Sequence, residues 1–363
     1  MTTLRDIFTA FAPEYLERYP HLPLAHRKVM RAIPHCQSGH DGHSLYQCQD
    51  CGGHHRVYHA CGNRHCPQCQ QHKAHQWLQH HLDKQLPGPH FLMTFTVPET
   101  LRPFIRSHQR IASQALFHAS SRALKRLAKD ARFIGTDLPG FTGVLHTWGR
   151  QPQSHPHIHD IVPSGGLSQD RTTWLSSRAH FFVPVKALSP ISRAIFKDEM
   201  RQAGLLEQIN PQVWTLPWNV HSQAQPHSHA ACTDLAPDVF KVAIANRRIV
   251  GLPDRTVTFT YRHVGSARPR MTQLDAIEFL RRFLQPVFPD GFMKVRHFGL
   301  LHARCALPLA TVRLMMVRAH RSDSPPPQRK PPPPRVARCP TCGAPMGLVM
   351  RRWTAPRDFV DTS

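Results

Sequence analysis

The stretch SHPHIHDIVPSGG, Ser154–Gly166, decides how this sequence is read. His155, His157 and His159 alternate with Pro156 and Ile158. Successive side chains of a strand point to opposite faces, so all three imidazoles share one face if the stretch is extended. Two imidazoles with a buried residue between them suit a divalent cation. An isolated His-x-His is more plainly read as two half-exposed histidines on a sheet surface. Here a third histidine stands in phase, the flanks are apolar, and Gly165-Gly166 ends the strand. A third ligand is supplied by His155, or by His146 or Gln151 on the preceding segment. A metal held by two or three protein ligands keeps open positions and can polarise a phosphate oxygen.

Around this stretch the chain reads as an α+β protein. FLMTFTV, FTGVLHTWG and HIHDIV are strand patterns, and residues 107–132 form an amphipathic helix carrying Ile111, Leu116, Leu124 and Leu127. KVAIANRRIVGL and RTVTFTYR pair around Leu252–Asp254. MTQLDAIEFLRRFLQPVF reads as one helix with Thr272 as its N-cap and Pro286 ending it. Residues 1–35 have helical spacing, and HKAHQWLQHHLDKQL is a further helix. SDSPPPQRKPPPPR, Ser322–Arg335, is a stiff polyproline linker. The domains expected are a zinc-binding region at 1–85, a catalytic region at 86–321, the linker at 322–338 and a short CxxC tail at 339–363.

The cysteines point to metal. Cys48 and Cys51, then Cys66 and Cys69, form two CxxC pairs that together close a tetrahedron around a structural Zn²⁺. Redox use does not need two matched pairs. Cys36, Cys61 and His65 lie in the same segment and are candidates for a second zinc. The tail pair, Cys339 and Cys342, is either half a zinc knuckle completed by a partner or a histidine, or binds nothing. Cys305 is the only cysteine near it, and Cys232 stands alone.

Charge names the partner. Lys plus Arg number 46 against 23 Asp plus Glu, a net charge of +23. So basic a folded chain pairs with a polyanion, most often nucleic acid. No apolar run is long enough for a membrane span, and no signal peptide is evident, so a cytosolic location is the default expectation.

YQCQDCGGHHRVYHACGNRHCPQCQ, FTGVLHTWG, HPHIHDIVPSGGL, FKVAIANRRIV, RTVTFTYR and FLRRFLQPVFPDGFMKVRHFGLL, in that order, resemble the HUH rolling-circle transposases of bacterial insertion sequences, in the two-tyrosine IS91 group. The resemblance covers almost the whole chain. It implies a central antiparallel sheet with flanking helices, a zinc domain that helps bind DNA, and Mg²⁺ or Mn²⁺ on His157 and His159. It also implies a tyrosine that attacks single-stranded DNA at the ends of a mobile element, leaving a 5′-phosphotyrosine, and it narrows the expected location to the bacterial cytoplasm, at the nucleoid. The family's two tyrosines, four residues apart on a helix, fall in TDLAPDVFKVAIANRRI, where this chain has Asp234 and Asp238. An acyl phosphate formed by either carboxylate would be opened by water, whereas a tyrosyl ester stores the cut bond for rejoining. Tyr261, in TVTFTYR, is a poor substitute nucleophile. The sequence therefore supports a rolling-circle transposase with both nucleophile positions substituted, or a silent DNA-binding relative. A zinc-ribbon adaptor that binds RNA or protein through the Pro-rich tail is the reading if the resemblance is set aside.

Overall fold

The computed structural model describes residues 2–69, 86–148, 154–226, 244–262, 268–320 and 337–354. Asp234, Asp238, Cys232 and Gln151, the helix expected after His72 and the polyproline linker lie outside the described residues.

The centre is an antiparallel sheet. β3 (His90–Thr96), β4 (Leu138–Trp148) and β5 (Ser154–Pro163) form its middle. β8 (Asn219–Gln225) pairs with β3, while β12 (Val295–Gly299) runs beside β4. β6 (Gly165–Leu167) and β7 (Trp174–Ser176) extend the other edge. Gly165 begins β6 with φ 149°, and a Cβ there would sit 2.2 Å from the Leu175 carbonyl oxygen, so the turn after the histidine strand requires glycine.

Two-residue periodicity explains the sheet. Met93, Phe95, Ile158, Val162, Phe141 and Leu145 are buried on one face. They pack against α4 (Gln109–Ala128) and α5 (Val185–Gln202) through Phe117, Leu124, Phe196 and Met200. Thr94, His157, His159, Val144 and His146 alternate onto the opposite face. That face is covered at one end by α7 (Leu309–His320), where Val312 and Met316 pack with Leu300 and Trp174. The short α3 (Arg102–Ser107) precedes α4 and lies beside β5.

A second core joins the N-terminal helices to a three-stranded sheet. α1 (Leu4–Arg18) starts at a capping box between Thr3 and Asp6, and buries Leu4, Ile7 and Phe8. α2 (Leu24–His35) follows. They pack on α6 (Ala276–Leu284) and on β9 (Ile249–Gly251), β10 (Thr256–Arg262) and β11 (Pro269–Asp275). The single helix read from MTQLDAIEFLRRFLQPVF is a strand and then a helix. Thr272 lies in β11, and Asp275 is the N-cap, accepting hydrogen bonds from the amides of Ile277 (2.9 Å) and Glu278 (3.3 Å). Thr272 and Leu274 pair with Phe259 and Val257 of β10, so sheet pairing overrides the helical spacing there.

The third sheet joins the two ends of the chain. β1 (His43–Cys48) forms a hairpin with β2 (His54–Tyr58), and β13 (Met346–Arg352) pairs with the other edge of β1. The tail, read from the sequence as a separate piece beyond the linker, is a strand of the N-terminal sheet. Among the described residues, no helix is long and apolar enough to cross a membrane.

Candidate metal centres

His146 and His157 are direct cross-strand partners on β4 and β5, and His159 lies two residues further along the same face. Their ring nitrogens converge. His146 Nδ1 is 3.1 Å from His157 Nε2, which is 3.0 Å from His159 Nε2. Two contacts orient the rings. His157 donates from Nδ1 to the His155 carbonyl oxygen at 2.6 Å, which leaves its Nε2 as the lone-pair nitrogen in the neutral ring. The Thr94 hydroxyl, on the neighbouring strand, is 3.0 Å from His159 Nδ1, and when it accepts from that nitrogen the His159 Nε2 is left with the lone pair as well. Three imidazole nitrogens lying within 4.8 Å of one another form a donor set that fits a divalent metal with open positions. His146 and His157 are buried and His159 is partly exposed, so the site opens to solvent from one side.

His155 is the third histidine in phase, yet it is not part of this cluster. The pairing of β4 and β5 is irregular between His146 and Trp148, one step past the His146–His157 pair, and His155 lies beyond that step. Its ring centroid is 5.0 Å from that of His157. Burial, and then the nearby Arg102 guanidinium, hold its pKa below the usual histidine value. Arg102 is itself paired with Glu99 at 3.0 Å. On the sheet's other face, the carboxyl of Asp160 is fully buried beneath the histidines; burial pushes its pKa up to about 7, and the Ser120 hydroxyl pulls the other way. Thr94 was not singled out in the sequence, although a threonine in phase within the apolar FLMTFTV is the signal that marks it.

The cysteines group differently from the sequence reading. Cys66 and Cys69 join Cys36 and Cys61, whereas Cys48 and Cys51 join Cys339 and Cys342. The reason is the hairpin. The Cys48–Cys51 turn closes one end of β1 and β2, while Cys36 and Cys61 flank the other end, about 17 Å away at 3.4 Å per residue. No single tetrahedron spans that distance. In the first cluster Cys36 Sγ lies 3.7 Å from Cys69 Sγ, and Cys61 Sγ lies 3.6 Å from it. Tetrahedral Zn²⁺, with Zn–S of about 2.3 Å, sets sulfurs about 3.8 Å apart, so this quartet fits. Sulfur contacts from Cys36, and then from Cys61 and Cys66, favour the thiolate at Cys69. Cys36 and its neighbours push the Cys61 and Cys66 thiols up, so several thiolates coexist only with a cation among them. His65, expected beside Cys36 and Cys61, lies outside this quartet. It is buried, and its Nε2 meets no hydrogen-bond partner among the described residues; burial holds its pKa well below the usual value. Tyr261 lies on β10, in a sheet separate from the histidines.

Residues 140–307 match the family described as "Putative transposase", and residues 7–97 match a "Transposase zinc-binding domain". A protein of Sinorhizobium fredii (strain NBRC 101917 / NGR234) named "Putative transposase y4qJ" is 32% identical over 321 residues, covering 82% of this chain and 80% of that protein. The chain belongs to the IS91-type transposases. A second member, the "Transposase for insertion sequence element IS801" of Pseudomonas savastanoi pv. phaseolicola, is 26% identical over 279 residues, covering 70% of this chain and 65% of that one. No solved structure matches. Within this IS91-type transposase the zinc-binding domain match contains the whole Cys36–Cys69 quartet, and the histidine centre lies inside the other match.

Proposed function

We propose that this transposase binds single-stranded DNA at the ends of an insertion sequence and presents a scissile phosphate to Mg²⁺ or Mn²⁺ at His146, His157 and His159, for transposition by a rolling-circle route. The observation that carries the reading is the convergence of three ring nitrogens on one sheet face, open to solvent at His159, of a strongly basic chain. The cation would supply Lewis-acid polarisation of a phosphate oxygen. The residues of the chain do the positioning. The His155 carbonyl and Thr94 turn His157 and His159 inward, and Arg102 adds positive charge beside the start of β5. Zinc on Cys36, Cys61, Cys66 and Cys69 would hold the N-terminal domain together, because those residues share a core with α1, α2 and α6.

A second reading concerns the covalent step. If the family's attacking tyrosines fall at Asp234 and Asp238, as the resemblance in sequence implies, neither position supplies a phenol. With carboxylates there, the site holds DNA without storing a cut strand as a phosphotyrosine. The chain is then a silent DNA-binding relative for that step.

The binding step is tested by fluorescence anisotropy of a single-stranded oligonucleotide from the element's end, titrated with and without added Mn²⁺. The expected result is Mn²⁺-dependent tightening that His157→Ala removes, leaving a salt-sensitive background from surface cations. Equal tightening in His157→Ala would overturn the assignment of the histidines.

A further inference from the structure

The tail cysteines have no CxxC partner nearby in sequence, and Cys342 is 294 residues from Cys48. In the structure Cys48 Sγ is 3.4 Å from Cys342 Sγ, and Cys51 Sγ is 3.7 Å from both Cys339 Sγ and Cys342 Sγ. These distances are far beyond the roughly 2.05 Å of a disulfide. They lie close to the sulfur spacing of about 3.8 Å around tetrahedral zinc.

The two pairs are built alike. Each CxxC is followed at once by a glycine of positive φ, Gly52 at 71° and Gly343 at 76°. In each, the amide of the first cysteine donates to the carbonyl five residues on: Cys48 to Gly53 and Cys339 to Ala344, both at 2.8 Å. The Gln49 amide reaches across to the Pro345 carbonyl at 3.3 Å and ties the two turns together. Two like knuckles facing each other present four thiolates to one point.

The surrounding sheet has little else to hold it. Every residue of β2 is exposed, as are the last five of β13. Among the described residues its buried apolar cluster is Cys48, Cys339, Ala344 and Met346, with Tyr46 and Ala337 partly buried against it. A sheet this short and thinly covered does not persist on its own apolar burial.

We propose that Cys48, Cys51, Cys339 and Cys342 bind one Zn²⁺, separate from the Cys36–Cys69 quartet, and that this ion clasps the C-terminal tail to the N-terminal hairpin. As the Zn–S bonds form, the thiols release their protons to solvent, and nothing is oxidised or reduced. The chain between Cys51 and Cys339, the histidine sheet included, is thereby closed into a loop by the metal. The inference stands on the thiol geometry and does not depend on the phosphate chemistry proposed for the histidines.

The test is zinc content per chain by mass spectrometry, together with amide hydrogen exchange of the full-length protein. Cys339→Ser/Cys342→Ser and Cys48→Ser/Cys51→Ser are expected each to carry one zinc ion fewer than the unaltered protein. The variant with all four changes should also lack only one. In each, β13 should lose its exchange protection while β4 and β5 keep theirs, which separates an opened clasp from a chain that failed to fold. Unchanged zinc content in either pair variant would overturn the site. So would a Cys48–Cys342 disulfide in the unaltered protein under non-reducing conditions. Retained β13 protection after loss of the ion would overturn the clasp.

Discussion

Replacing Thr94 by Val tests how the histidine centre is oriented. The two side chains have nearly the same shape and both suit a strand, so β3 should keep its pairing with β5 and β8. What is lost is the 3.0 Å contact between the threonine hydroxyl and His159 Nδ1. Without it the ring can turn over or change tautomer, and its Nε2 lone pair is no longer fixed toward His157. Partners of this kind typically contribute 10- to 100-fold in metal affinity, or about 1.4–2.7 kcal/mol. His159 is partly exposed and water can replace the hydroxyl in part, so the expected loss lies near the low end, about tenfold. Calorimetric titration of Mn²⁺ into the zinc-loaded protein measures it, with His157→Ala as the reference for removal of a ligand. If Thr94→Val binds Mn²⁺ as tightly as the unaltered chain while His157→Ala does not bind, the orienting role is wrong. If all three bind alike, the centre itself is wrong.

Other consequences follow from the fold. Asp275→Ala removes the cap of α6 and should cost about 1 kcal/mol, seen as a lower denaturant midpoint with an unchanged slope. Gly143→Ala would place a Cβ 2.7 Å from Asp160 Oδ1 and 3.1 Å from Phe298, beneath the histidines, and should destabilise by about 1–3 kcal/mol in a denaturant titration. Lys294 is held down to about 8 by burial and then by Arg64, against roughly 10.4 for the unfolded chain. Between those values the unfolded state binds more protons, so this lysine makes stability rise with pH from about 8 to about 10.4. Its penalty is fully present below pH 8. Lys294→Met should therefore flatten the stability profile in that window, and an unchanged slope would count against the assignment.

The middle of the sheet was legible because its strands alternate. FLMTFTV places Phe91, Met93 and Phe95 on one face, and HIHDIV alternates in the same way but for Asp160 on the apolar face and Ile161 on the histidine face, which suffices to set His157 and His159 side by side. The choice of His146 over His155 was not legible. It follows from the register of β4 against β5 and from an irregularity in that register, which depend on long-range pairing. The strand Pro269–Asp275 was hidden for a related reason: Leu274 and Ile277 continue a helical spacing into α6, while pairing with β10 overrides it upstream. The cysteine spacing announced zinc correctly, yet spacing cannot show that a hairpin sends two adjacent CxxC pairs to opposite ends of itself. The partner of the Cys48 pair lies across the whole chain, where no local pattern reaches.

The central proposal is that the histidines hold a divalent cation while Asp234 and Asp238 stand in place of the family's tyrosines. A denaturing gel tests it most directly, using single-stranded oligonucleotides from the element's ends with Mg²⁺ or Mn²⁺. The unaltered protein runs beside Asp234→Tyr/Asp238→Tyr. The account predicts a covalent protein–DNA adduct in the double variant alone. An adduct with the unaltered protein would contradict the reading of Asp234 and Asp238, and no adduct in either lane would contradict the histidine centre.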